Sequence, residues 1–124
     1  KFPAREPVNG IGEKDARVLL HCYSGSSELA EEYVKLGATI SIAGPITFKN
    51  AKNLVEILPK IPFNRIVIET DAPYLTPEPN RGKRNEPAFT TFVAKKIAEI
   101  LNLEFEVVCE KTSNNAKRLF KCFA

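Results

Sequence analysis

Two carboxylates, Glu69 and Asp71, follow a short apolar run, Ile66-Val67-Ile68. The run is too brief for a helix and rich in β-branched residues, so it reads as a buried strand. Alternation along a strand would put Val67, Glu69 and Asp71 on one face. A carboxylate at the end of a buried strand is costly unless a metal or a cation pairs with it. Further on, Arg81-Gly82-Lys83-Arg84 sets three cations within one short stretch, a composition suited to phosphate. Pro73, Pro77 and Pro79 keep the intervening residues irregular, which predicts a mobile basic loop beside the acids. An acid-bound metal next to a phosphate clamp is the equipment of phosphoester hydrolysis. The same residues also allow a plainer arrangement, with Asp71 paired to a loop arginine and the other charges solvated.

His21 is the single histidine, and Cys22 follows it. A Cys–His nucleophile pair is disfavoured, because neighbours on a strand point to opposite faces. Imidazole is a ready metal ligand, and a hydrogen-bonded core histidine is the other reading. Cys22, Cys109 and Cys122 show no CxxC spacing, which argues against a zinc ribbon or a disulfide framework and for reduced thiols in the cytoplasm.

The elements that would position these groups follow in a regular order. Residues 17–21 read as a strand ending at His21. Ser26 or Ser27 caps a helix whose stripe is Leu29, Ala30, Tyr33, Val34 and Leu36, stopped by Gly37. Residues 38–43 form a second strand. Asn50 can cap a helix over 51–58, and the Ile66 strand comes next. Pro87 opens the longest helix, over 87–101. Two short helices, about 105–111 and 114–120, close the chain, the second capped by Ser113 with Ala116, Leu119 and Phe120 inward. Strands alternating with helices predict right-handed βαβ units and a parallel sheet. Polar residues gather after each strand, and in such folds that edge is where ligands bind. His21 and Asp71 would share it.

Composition bounds the rest. The chain has 124 residues, 44% hydrophobic and 27% charged, with net charge +3 from 18 Lys and Arg against 15 Asp and Glu. This is one domain's worth of ordinary globular material. No run of about 18 apolar residues would cross a membrane. Residues 1–15 carry no apolar stretch of the signal-peptide kind and read as a loop or a remnant.

Five segments, in order, are similar to a known family. HCYSGS at 21–26, GPITFKNA at 44–51, ETDAPYL at 69–75, RGKRNEP at 81–87 and TSNNAKRLF at 112–120 resemble the TatD family of metal-dependent deoxyribonucleases. The resemblance implies an α/β fold of the TIM-type (β/α)8 barrel kind and hydrolysis of DNA phosphodiesters with divalent metal ions. By that resemblance His21 and Asp71 are metal ligands, and Asp71 helps to activate the attacking water. The resemblance implies that Arg81, Lys83 and Arg84 approach the DNA substrate; with no aromatic interleaved among them, they are expected to act by charge rather than by reading bases. The metal could be Mg, Mn or Zn.

The departures matter as much. Tyr23 replaces a commoner Phe. The family's paired HxH, its mid-barrel glutamate and a second histidine have no counterpart. A full barrel needs about 250 residues. Three strands therefore imply the C-terminal portion of a barrel spanning residues 1–124, with two metal ligands from this chain. The alternative is a non-catalytic half-barrel that binds nucleic acid or self-associates. An inner face formed by Leu19, Ile40 or Ser41, and Val67 would be left bare. That predicts self-association or docking of the missing N-terminal barrel half.

Overall fold

A computed structural model describes residues 18–120. The expectations for residues 1–15, for Arg17 and for Cys122 lie outside them. Three short strands, β1 (Leu19–Leu20), β2 (Thr39–Ile42) and β3 (Ile66–Ile68), form a parallel sheet in the order β1-β2-β3. Leu20 pairs with Ile40, Ile40 with Ile66, and Ser41 with Val67. Helix α1 (Ser27–Lys35) connects β1 to β2, and α2 (Lys52–Ile57) with its 3-10 extension connects β2 to β3. Helices α3 (Thr90–Leu101) and α4 (Phe105–Phe120) close the described chain. The arrangement is α/β and consistent with a portion of an α/β barrel.

The helix ends follow their local chemistry. Ser26 Oγ accepts the Leu29 N–H at 3.2 Å and starts α1. Gly37 follows at φ 95°, a region glycine enters without a Cβ penalty. Helix α2 starts without help from Asn50: Ala51 is its cap residue, and no side chain bonds there. Pro87 opens a 3-10 turn, Pro87–Phe89, that runs into α3.

The closing helices and the α1 stripe also differ from the expectations. The closing pair of helices is one continuous helix, α4. Thr112 donates to Val108 O one turn back at 2.8 Å. Asn115 spends its amide on Phe63 O and Ile66 O, at 2.7 and 2.8 Å. The Thr112 bond is the back-bond to the residue four earlier that a continuous helix accommodates, and Asn115 spends its amide outside the helix, so the helix runs on through Ser113. The α1 stripe also divides differently: Ala30 is buried and Val34 packs on the core, but Leu29, Tyr33 and Leu36 are exposed, as is Phe120 at the end of α4.

The core lies on one side of the sheet. Ile40, Ile42 and Ile66 meet Ile57, Leu58, Val93, Ala94, Ile97 and Val108 there. Register puts Leu19, Thr39, Ser41 and Val67 on the other side, which resolves the choice between Ile40 and Ser41. That face is not the bare apolar surface expected. Thr39, Ser41 and Val67 are buried, and two of them carry hydroxyls. The exposed large apolar residues near the β1 edge are Val18 and those of α1. No described helix is long and apolar enough to cross a membrane.

Candidate metal centre

The strands end where the site begins. On the inner side, period two carries Leu19 on to His21 and Val67 on to Glu69. The main chain then leaves extended geometry. Cys22 adopts φ 47° and Asp71 φ 56°, left-handed values that cost non-glycine residues of order 1–3 kcal/mol and cluster at functional sites. Both bends are held by the sheet: Tyr23 N–H donates to Ser41 O at 3.0 Å, and Glu69 N–H to Ile42 O at 2.9 Å. Asp71 therefore reaches the site through a turn, not by the strand alternation expected from the sequence.

His21 stands between two carboxylates. Its Nδ1 lies 2.8 Å from Glu69 Oε1, and its Nε2 lies 3.5 Å from Asp71 Oδ1. The imidazole is 64% exposed, Asp71 38% and Glu69 14%. Glu69 Oε2 accepts the Cys22 N–H at 2.7 Å. Glu69 Oε1 is different. It is buried and receives no aligned hydrogen bond, although the ring nitrogen is close. A buried acceptor without a donor is unfavourable as it stands. Two ligands each about 2.1 Å from one ion lie about 3 Å apart when at right angles, so the short approach suits a shared cation. One ligand atom from each of His21, Glu69 and Asp71 can be chosen so that all lie within 4.8 Å of one another. The trio fits a divalent metal ion.

Glu69 is the residue the sequence reading left out of the site. Its signal was present, since Glu69 precedes Asp71 on the same predicted face, but nothing local showed that it would meet His21. The Asp71–loop arginine pairing does not occur: among the described residues, no Lys or Arg lies within 4 Å of Asp71. The nucleophile reading of Cys22 also falls. Burial first, then the carboxylates of Glu69 and Asp71, push its thiol above the usual cysteine range, so the thiol stays protonated at neutral pH.

The basic loop is laced down rather than mobile. Asn85, buried, donates its amide to Thr70 O and Tyr74 O at 2.7 and 2.8 Å, and its N–H to Pro73 O at 3.0 Å. The Thr76 hydroxyl donates to Lys83 O. Glu78 N–H donates to Thr47 Oγ1 at 2.8 Å. Gly44 supports the same loop: a Cβ there would stand 2.0 Å from Leu75 O. The three cations divide. Arg81 and Lys83 line a cavity of about 350 Å³ with Phe48 and Tyr74. Arg84 lines another, of about 430 Å³, with Ala72 and Glu86. Pro73 borders both.

A protein family described as TatD related DNase matches residues 6–121. YabD of Bacillus subtilis, named an uncharacterized metal-dependent hydrolase, is 50% identical over 121 residues, 98% of this chain and 44% of YabD. YcfH of Escherichia coli K12, named likewise, is 39% identical over 106 residues, 86% of this chain and 40% of YcfH. The crystal structure of YJJV, a TatD homolog from Escherichia coli, superposes with TM-score 0.79 at 28% identity, covering 87% of this chain and 42% of that one. The chain thus spans less than half the length of these relatives. The match runs through the strand ends that carry His21, Glu69 and Asp71, and on its extent this chain belongs to the TatD family.

Proposed function

We propose that this chain carries part of the active centre of a metal-dependent hydrolase that cleaves DNA phosphodiesters. The observation that carries the reading is His21 set between Glu69 and Asp71, with a buried Glu69 oxygen that lacks a donor. Catalytic metal sites ordinarily use three protein ligands and keep a position open, and this trio supplies three where the sequence suggested two. Mixed imidazole and carboxylate donors suit manganese or zinc better than magnesium. A divalent cation there would polarise a phosphoryl oxygen and acidify water. One His21 ring nitrogen would serve as the imidazole ligand. Asp71, half-exposed beside it, is positioned to take a proton from the attacking water. Arg81, Lys83 and Arg84 hold the phosphate backbone by charge. The hydrolase reading draws on the names of the relatives, and DNA on the description of the family. Free Cys22 and Cys109 suit a reducing cytoplasm.

Titration calorimetry with manganese and zinc tests the centre. Binding should be lost in a His21→Ala, Asp71→Ala double variant, and unchanged affinity refutes the assignment. A second reading, a non-catalytic module, rests on exposed Val18, Leu29, Tyr33 and Leu36. In that reading the β1 edge and α1 are covered by another copy or by the remainder of a barrel. Metal-dependent cleavage of DNA by the 124-residue chain, abolished in Asp71→Ala, would decide for the enzyme.

A further inference from the structure

We infer that the cavity between α4 and the turn leading into β3 is a site for a small oxyanion that carries its own hydroxyl, such as hydrogen phosphate or a phosphorylated polyol. The site is independent of the DNA reading. It lies at the start of β3, whereas the metal centre lies past its end.

The closing motif, residues 112–120, takes no part in the metal centre. It reaches this cavity instead. Helical spacing turns Lys111, Asn114, Asn115 and Arg118 of α4 to one side. The turn Phe63–Arg65 supplies Phe63 and Asn64 opposite them, and the space between is about 250 Å³. Clefts for drug-sized ligands run to roughly 300–1,000 Å³, so the occupant is small.

The guanidinium is fixed before any ligand arrives. Arg118 Nη2 donates to Asn64 O at 3.1 Å and to Asn115 Oδ1 at 2.7 Å. Asn115 is buried and anchored in turn by its bonds to Phe63 O and Ile66 O. The Nε and Nη1 donors of Arg118 are left for a ligand. Among the described residues, no carboxylate lies within 4 Å of Arg118 or Lys111, although Glu110 lines the same cavity. Cations and an acid thus share one small space without pairing. An anion between them takes charge-assisted bonds from Arg118 and Lys111. Glu110 then sets the selectivity, because a carboxylate only accepts. It takes a hydrogen bond from a hydroxyl on the ligand and repels an oxyanion that has none, such as sulfate.

Titration calorimetry at neutral pH tests this on the full chain carrying His21→Ala and Asp71→Ala, so that no metal-held anion contributes. The probes are inorganic phosphate, glycerol phosphate and sulfate. Phosphate should bind about 10-fold more tightly than sulfate, the lower end of what a hydrogen bond to a charged group is worth. Tighter binding of glycerol phosphate than of phosphate assigns the site to phosphorylated polyols, and the reverse order to free phosphate. Glu110→Gln, whose amide can donate, should raise sulfate affinity and erase the discrimination. Lys111→Ala should weaken phosphate about 10-fold; Lys111 is exposed, so its truncation leaves the fold intact. Neutralising Arg81, Lys83 and Arg84 should leave phosphate affinity unchanged. The site is overturned by failure to bind phosphate, by equal binding of sulfate, by unchanged affinity in Lys111→Ala, or by loss of binding with the basic loop. Each of these leaves the metal centre standing.

Discussion

Asn85 should govern metal affinity although it touches no ligand atom. Its amide bonds Thr70 O and Tyr74 O, the two ends of the turn that carries Asp71 at φ 56°. Its Oδ1 accepts the Glu86 N–H at 2.9 Å. Asn85→Ala would remove all three bonds from a buried position. Each buried group left unsatisfied costs about 1–3 kcal/mol, and water reaching the partly exposed Tyr74 lowers the sum, so a net loss of about 2–4 kcal/mol of stability is expected. The left-handed Asp71 conformation stores order 1–3 kcal/mol, and the freed turn would relax toward ordinary geometry, withdrawing the carboxylate from His21. Metal affinity should then fall about 10–100-fold, the range seen when groups supporting metal ligands are removed. The comparison that isolates this effect is Asn115→Ala. Asn115 is also a buried asparagine bonding two carbonyls, but it joins α4 to Phe63 and Ile66. Both variants should melt early, by about 4 °C or more per kcal/mol, while only Asn85→Ala should lower manganese or zinc affinity by calorimetry at a temperature where both remain folded. Equal metal affinity in the two variants would refute the positioning role.

Glu69→Gln keeps the shape of the side chain and removes its charge; calorimetry should show about 10–100-fold weaker metal binding, and an unchanged constant would exclude Glu69 from the centre. Gly44→Ala places a methyl 2.0 Å from Leu75 O, so thermal unfolding should show a loss of about 1–3 kcal/mol, with the loop over 70–86 displaced. Neutralising Arg81, Lys83 and Arg84 together should weaken binding of unrelated single strands alike and flatten the salt dependence by about 2 in the log–log slope. Light scattering over a range of concentrations should show self-association of the isolated chain, reduced by Leu29→Lys and Leu36→Glu on the exposed face of α1.

The strand positions, the Ser26 and Gly37 helix limits and the meeting of His21 with Asp71 were all legible, because each rests on a local signal or on βαβ topology. What escaped was decided by partners far away in sequence. Glu69 looked like a second acid on a strand face. Its place beside the imidazole depends on Cys22 turning into a left-handed conformation and donating to it from 47 residues away. The stretch around Asn115 looked like a helix break, since Ser and Asn normally compete for nearby backbone. There the competition was removed by carbonyls from the segment before β3 and from β3 itself. Asn85 follows the same rule in a loop, where its neighbours suggested a mobile phosphate-binding stretch or a solvated charge run. The two asparagines that hold the ends of β3, one behind it and one past it, are thus both polar residues whose amides are spent on backbone of other elements. A local reading sees each as a breaker. In the fold they fix the strand that delivers Glu69 and the turn that delivers Asp71, so the geometry of the centre depends on hydrogen bonds that no window of sequence contains.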